Sequence, residues 1–158
     1  MLRDKWVRWQ VPPWCSKSSA SEKMDKGEMM GKANAAIVRK AYEDFARGDI
    51  PAVFAAFDAG ITWHVPGHSP LSGDFTGHEQ IGGFFQHTMA LCGGTFSIDV
   101  HNVLTDENLV VVLATVNAQR SGVSASFPEV HVWRMKNGKA IEFREYQGDE
   151  QREDQFWS

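Results

Sequence analysis

The chain has 158 residues, enough for one domain with a real core and too few for two comfortable ones. Hydrophobic residues make up 42% and charged residues 23%, and no apolar run approaches the roughly 20 residues that a membrane helix needs, which excludes a helical membrane protein. Residues 1–32 carry a net charge of +3 and the remainder −7, and an acidic body without a basic stripe argues against nucleic acid as the main partner.

Residues 1–32 differ from the rest. Trp6, Trp9 and Trp14 stand among Arg, Lys, Pro and Ser, and a polar stretch with Met24, Met29 and Met30 follows. There is no apolar core of a secretory signal, so this segment reads as a poorly ordered leader or an artefactual extension, with residues 33–158 as the folded domain. Cys15 and Cys92 lie far apart and form no Cys-x-x-Cys pair, a pattern that fits a reducing cytoplasm.

In chain order, Asn34 predicts the cap of a first helix with Ile37, Val38, Ala41, Tyr42 and Phe45 on one apolar stripe and Gly48 as its stop. Asp49-Ile50-Pro51 predicts a second helix start, with Val53, Phe54 and Phe57 facing inward before Asp58-Ala59-Gly60. Ile61 to Val65 reads as a strand, stopped by Pro66-Gly67 and followed by a Pro/Gly/Ser loop. Thr76 with Glu79 predicts a capping box that opens a helix over 77–91. After Gly93-Gly94, four strand-like runs follow at about 95–105, 109–120, 124–135 and 139–147. Helices first and strands later predict an α+β domain, its mostly antiparallel sheet wrapped around the helices.

The turn at Lys136-Asn137-Gly138 decides which side chains meet. A three-residue loop with Gly138 in a left-handed bulge pairs Trp133 with Ile141, His131 with Phe143 and Glu129 with Glu145. A two-residue loop pairs Trp133 with Glu142 and mixes apolar with charged residues, so the first register is expected. It leaves Glu129, His131 and Glu145 as polar neighbours on an apolar face. Burial and mutual repulsion raise carboxylate pKa values and a nearby carboxylate favours imidazolium, which makes this trio a candidate acid/base cluster. His64 and His68 are separated by Pro66-Gly67, so no helix holds them as a metal pair and no metal is expected. His78 and His87 are expected on a helix surface and His101 on a strand without a partner. Gly-x-Ser-x-Gly and phosphate-cradling glycine loops are absent.

Several stretches together carry a resemblance. Ala41-Tyr42 through Gly48-Asp49, Trp63-His64-Val65-Pro66-Gly67, Ser69-Pro70-Leu71-Ser72-Gly73, Glu129-Val130-His131-Val132, Gly138-Lys139 and Glu142-Phe143 resemble a SnoaL-like protein of the nuclear transport factor 2-like superfamily, over about residues 34–158. The resemblance implies a cone-shaped α+β barrel with an apolar pocket at its wide end, commonly a homodimer through the outer sheet face. The superfamily spans polyketide cyclases, ketosteroid isomerases, epoxide hydrolases and binding domains, so function rests on the site. By alignment, the isomerase base falls on Val65 and its oxyanion-hole acid on His131, which removes that mechanism. The proton acceptor of SnoaL-type cyclases falls near Glu145.

The resulting expectation is a cofactor-free cyclase or isomerase acting on a small apolar carbonyl compound. Glu145 serves as base, His131 as acid or oxyanion donor and Glu129 as tuning partner. Trp63, Val65, Phe84, Phe85, Trp133 and Phe143 shape the pocket, and Tyr42 is a polar contact. A non-catalytic homodimeric ligand-binding domain and a protein-interaction adaptor are the competing expectations.

Overall fold

The computed structural model describes residues 25–158, and most of the amino-terminal leader therefore lies outside the described residues. The elements run α1 (Lys26–Ala46), α2 (Ile50–Ala55), β1 (Phe57–Val65), β2 (Gly73–Thr76), α3 (Gly77–Leu91), β3 (Ser97–Asp106), β4 (Leu109–Arg120), β5 (Val123–Lys136), β6 (Lys139–Gln147) and α4 (Glu150–Trp157). The strands form one six-stranded unclosed sheet in the order β2-β1-β6-β5-β4-β3. Every pairing is antiparallel except β1 with β6, and the helices cover the inner face, giving the expected α+β cone.

Helix α1 begins eight residues before the expected cap. Asn34 sits inside it, buried, and its amide donates 2.8 Å to the carbonyl of Glu107 in the β3–β4 turn. Gly31 lets the helix approach that hairpin closely, since a Cβ there would lie 3.1 Å from the Thr105 hydroxyl. The expected boundary at residue 32 thus falls within α1. The helix ends as the sequence predicts: Gly48 takes φ +73° and the Asp49 amide returns to the Asp44 carbonyl at 2.9 Å. The buried Asp44 carboxylate is held by Lys40 and Arg47.

Asp49 caps α2 by accepting from the Ala52 amide, but this helix stops at Ala55 and Phe57 already belongs to β1. The Pro/Gly/Ser loop holds a short strand that the sequence reading missed. β2 pairs with β1, placing Phe75 opposite Trp63 and Asp74 opposite His64. At α3, Thr76 makes no side-chain cap. Its amide instead donates to the Gln80 carboxamide at 2.8 Å, so the partner lies one residue beyond Glu79.

The last hairpin follows neither expected register. Asn137 and Gly138 have φ +51° and +72° and form a two-residue turn pairing Lys136 with Lys139 and Met135 with Ala140. A bulge then absorbs Ile141, and Arg134 pairs with Glu142. Beyond it Trp133 faces Phe143, His131 faces Glu145 and Glu129 faces Gln147. The bulge restores the apolar pairing that a plain two-residue turn would destroy.

The core sits between α1, α3 and the inner sheet face. It is built from Val38, Val53 and Ile81 on the helices and from Ile61, Trp63, Val110, Val112, Trp133 and Phe143, whose strands alternate buried with more exposed positions. Trp63 stacks on Phe143 with ring centroids 3.7 Å apart. Helix α4, also unexpected from the sequence, closes one end of the cone by burying Glu153 and Trp157.

Candidate active site

Strand parity places Phe127, Glu129, His131, Trp133 and Met135 on the inward face of β5, all buried. Phe143 and Glu145 do the same from β6, and α1 brings Tyr42 across from above. The Trp133 indole N–H donates to the Tyr42 hydroxyl at 3.0 Å, Tyr42 oxygen lies 2.7 Å from His131 Nδ1, and His131 Nε2 lies 2.7 Å from Glu129 Oε2. Tyr42 also lies nearly parallel to the His131 ring. Glu145 accepts from the Gln147 carboxamide at 2.8 Å.

Donor counting assigns the protons in this chain. An indole N–H only donates, so the Tyr42 oxygen must accept from Trp133. When Glu129 is ionised, the remaining protons run from Tyr42 to His131 Nδ1 and from His131 Nε2 to Glu129. When Glu129 is protonated the chain reverses. Glu129 then donates to Nε2, Nδ1–H donates to Tyr42, and the Tyr42 hydroxyl proton is free for a ligand.

Burial dominates the electrostatics. It raises Glu129 to about 8, and it raises Glu145 to about 8 with help from the charge of Glu129. Glu153, brought in by α4 and bonded to Glu129, is raised to about 9 by burial and by Glu129 and Glu145. Desolvation lowers His131 to about 4 against the pull of Glu145, so the histidine is neutral at ordinary pH. The expectation that neighbouring carboxylates would favour imidazolium fails because the low-dielectric surroundings disfavour that charge more strongly. The Tyr42 phenol is also pushed well above its usual range by burial.

These groups line a cavity of about 70 Å³, measured as space open to the centre of a water molecule, whose wall is almost wholly apolar. Tyr42, Trp63, Phe84, Phe85, Trp133 and Phe143 all line it together with Glu129, His131 and Glu145. Val65 does not. It borders a second recess of about 30 Å³ behind the first, where Gln147, Glu153 and Ser69 gather around Glu129 and Glu145. The sequence reading missed Glu153 and Gln147. Asp149 followed by Glu153, Phe156 and Trp157 at helical spacing was the available signal for α4 and hence for Glu153.

The other histidines lie elsewhere. His64 pairs with Asp74 on the opposite face of β1. His68 is exposed, 3.5 Å from Asp154, with Glu150 nearby. His87 is on the surface as expected, whereas His78 is half-buried against Phe54 and His101 has a partner in the Thr115 hydroxyl. Among the described residues, two groups have donor atoms close enough for a shared cation: His68 with Glu150 and Asp154, and Glu129 with His131 and Glu145. In the second, both histidine nitrogens already have hydrogen-bond partners.

Comparison with known proteins agrees with this architecture. The structure of Bal32a from a soil-derived mobile gene cassette matches at TM-score 0.79 and 32% identity, covering 82% of this chain and 99% of the other. A nuclear transport factor 2-like protein from Burkholderia pseudomallei matches at TM-score 0.73 and 28% identity, covering 80% and 98%. A putative SnoaL-like polyketide cyclase from Jannaschia shares the fold at TM-score 0.64 and 18% identity, covering 75% and 88%. Residues 38–143 match the SnoaL-like domain, and the chain belongs to that family.

Proposed function

We propose that the cavity binds a small apolar carbonyl compound and moves a proton on it, as a cyclase or isomerase does. The observation that carries this proposal is the Trp133–Tyr42–His131–Glu129 chain, whose tyrosine lies at the wall of an apolar cavity that also holds a separate carboxyl, Glu145. The apolar wall suits a flat hydrophobic body. Membership in the SnoaL-like family supports the same reading.

In this scheme Glu145 removes a proton from the carbon next to the carbonyl. Tyr42 donates a hydrogen bond to the carbonyl oxygen as negative charge develops there. His131 acts through Tyr42, since its two nitrogens are occupied by Tyr42 and Glu129, which modifies the direct donor role expected from sequence. Glu129 must be protonated for the Tyr42 proton to face the ligand, while Glu145 must be ionised to act as base. Both carboxyls are raised to about 8, so the pH profile of turnover is bell-shaped with its maximum close to pH 8.

A thermal-shift screen of the full chain against flat polycyclic ketones, steroids and terpenoids, with His131→Ala as control, tests binding. Stabilisation that depends on His131 is expected. Turnover of an identified ligand left intact by Glu145→Gln would remove Glu145 from the mechanism.

A further inference from the structure

We infer that the small polar recess behind the apolar cavity is a head-group subsite for a primary ammonium carried on an apolar body. This deepens the reading of the cavity as a small-molecule site and rests on it. The two spaces share Glu129 and Glu145 in their walls, so one ligand can occupy both. The recess, at about 30 Å³ on the same measure, has room for a group the size of one or two waters.

Once its carboxyls ionise, the recess is rich in acceptors. Glu153 is 1% exposed and its Oε1 has no hydrogen-bond partner, and the buried Oε1 of Gln147 is likewise unpartnered. With Glu145 ionised, the Gln147 carboxamide does not turn over, because its nitrogen donates to that carboxylate. The Thr88 hydroxyl is spent on the Phe84 carbonyl, and the Ser69 hydroxyl is engaged with Ser72 and the Leu71 amide. No lysine or arginine lines either space. Two orphaned oxygens beside the Glu145 carboxyl make three acceptors, and a primary ammonium carries three N–H donors. A hydroxyl supplies one.

Charge favours the same occupant. Glu153 on α4 faces Glu129 from β5, Glu145 from β6 and Asp149 at its own N-terminus, and His131, the remaining titratable neighbour, is neutral. A cation in the recess allows Glu145 and Glu153 to ionise side by side while Glu129 keeps its proton.

Isothermal titration calorimetry of the full chain tests this with three probes on one body: 2-(1-naphthyl)ethylamine, 2-(1-naphthyl)ethanol, and the N,N,N-trimethylated amine. The amine is expected to bind at least about tenfold more tightly than the alcohol at pH 8. The trimethylated probe has charge without N–H groups and too large a head, and is expected to bind weakly. Carboxyls that titrate at about 8 to 9 are protonated at pH 6.5 and the amine, like a lysine, stays charged to about pH 10, so amine affinity rises with pH. The expected rise is about tenfold from pH 6.5 to 8, with a flat profile for the alcohol. Glu153→Gln keeps the shape and removes the ionisable group, and should weaken only the amine, by about tenfold. Should that variant not fold, the two pH profiles of the unaltered protein decide. Equal, pH-independent binding of amine and alcohol, or trimethylated binding as tight as the amine, would overturn the ammonium subsite while leaving the apolar pocket intact. Failure of all three probes and of every ketone would overturn both.

Discussion

The inward face of β5 and β6 has two halves built by the same alternation. Near the turn it presents Met135, Trp133 and Phe143, and further along it presents His131, Glu129 and Glu145. The first half packs against Trp63 and Phe57 and loses water with profit to stability. The second half puts two carboxyls and an imidazole into the same interior, where α4 adds the Glu153 carboxyl, and each is driven toward its neutral form. Apolar residues at those positions would fold the cone more stably. The contrast is one of energetics: the polar half costs stability that the aromatic half offsets.

The largest effect should come from breaking the aromatic half. Trp63→Ala removes a side chain that stacks on Phe143 and touches Phe85 and Trp133, and is expected to cost about 3–5 kcal/mol in denaturant unfolding. A loss below about 1 kcal/mol would mean that the wall is not packed as described.

The polar half should show itself in the pH dependence of stability. From the ordinary carboxylate value up to about 8 for Glu129 and Glu145 and about 9 for Glu153, the folded state holds protons that the unfolded chain has released. Stability therefore falls as pH rises through that window and levels off above it. His131, lowered to about 4, works in the opposite direction between there and its ordinary value, one proton against three. Melting temperature measured from pH 5 to 9 should decline, and Glu153→Gln should flatten the decline. A melting temperature that climbs from pH 6 to 8 would contradict the raised carboxyls.

Tyr42→Phe joins the two halves in one test. It leaves the Trp133 N–H and His131 Nδ1 without their shared partner, and should cost about 1–3 kcal/mol. The smallest effect separates two helix starts. Asp49→Ala removes an observed cap and should cost about 1 kcal/mol, whereas Thr76→Ala removes none and should stay within about 0.5 kcal/mol, both read by chemical denaturation.

The aromatic half was also the more legible in the sequence. Periodicity placed α3 and the last four strands near their observed bounds, and strand parity put Glu129, His131 and Trp133 on one face. Register was not legible, because the Ile141 bulge is a local defect that only the packing of Trp133 against Phe143 selects. β2 was hidden in a Pro/Gly/Ser stretch, since its four residues owe their extended form to pairing with β1 rather than to propensity. Asn34 looked like a cap because its amide bonds backbone readily, and here it bonds a carbonyl 73 residues away. Glu153 needed α4 to be recognised first. The pKa direction of His131 depended on depth, which alternation does not report.

The most direct test of the proton-transfer proposal is deuterium incorporation. Aryl ketones incubated with the protein in D₂O are followed by proton NMR for exchange of the hydrogens next to the carbonyl. Exchange above the buffer rate is expected for a ligand that stabilises the protein, greatest near pH 8, abolished by Glu145→Gln and strongly reduced by Tyr42→Phe. A ligand that is bound in a His131-dependent way, yet exchanges no faster than in buffer or exchanges equally with Glu145→Gln, would contradict the proposal.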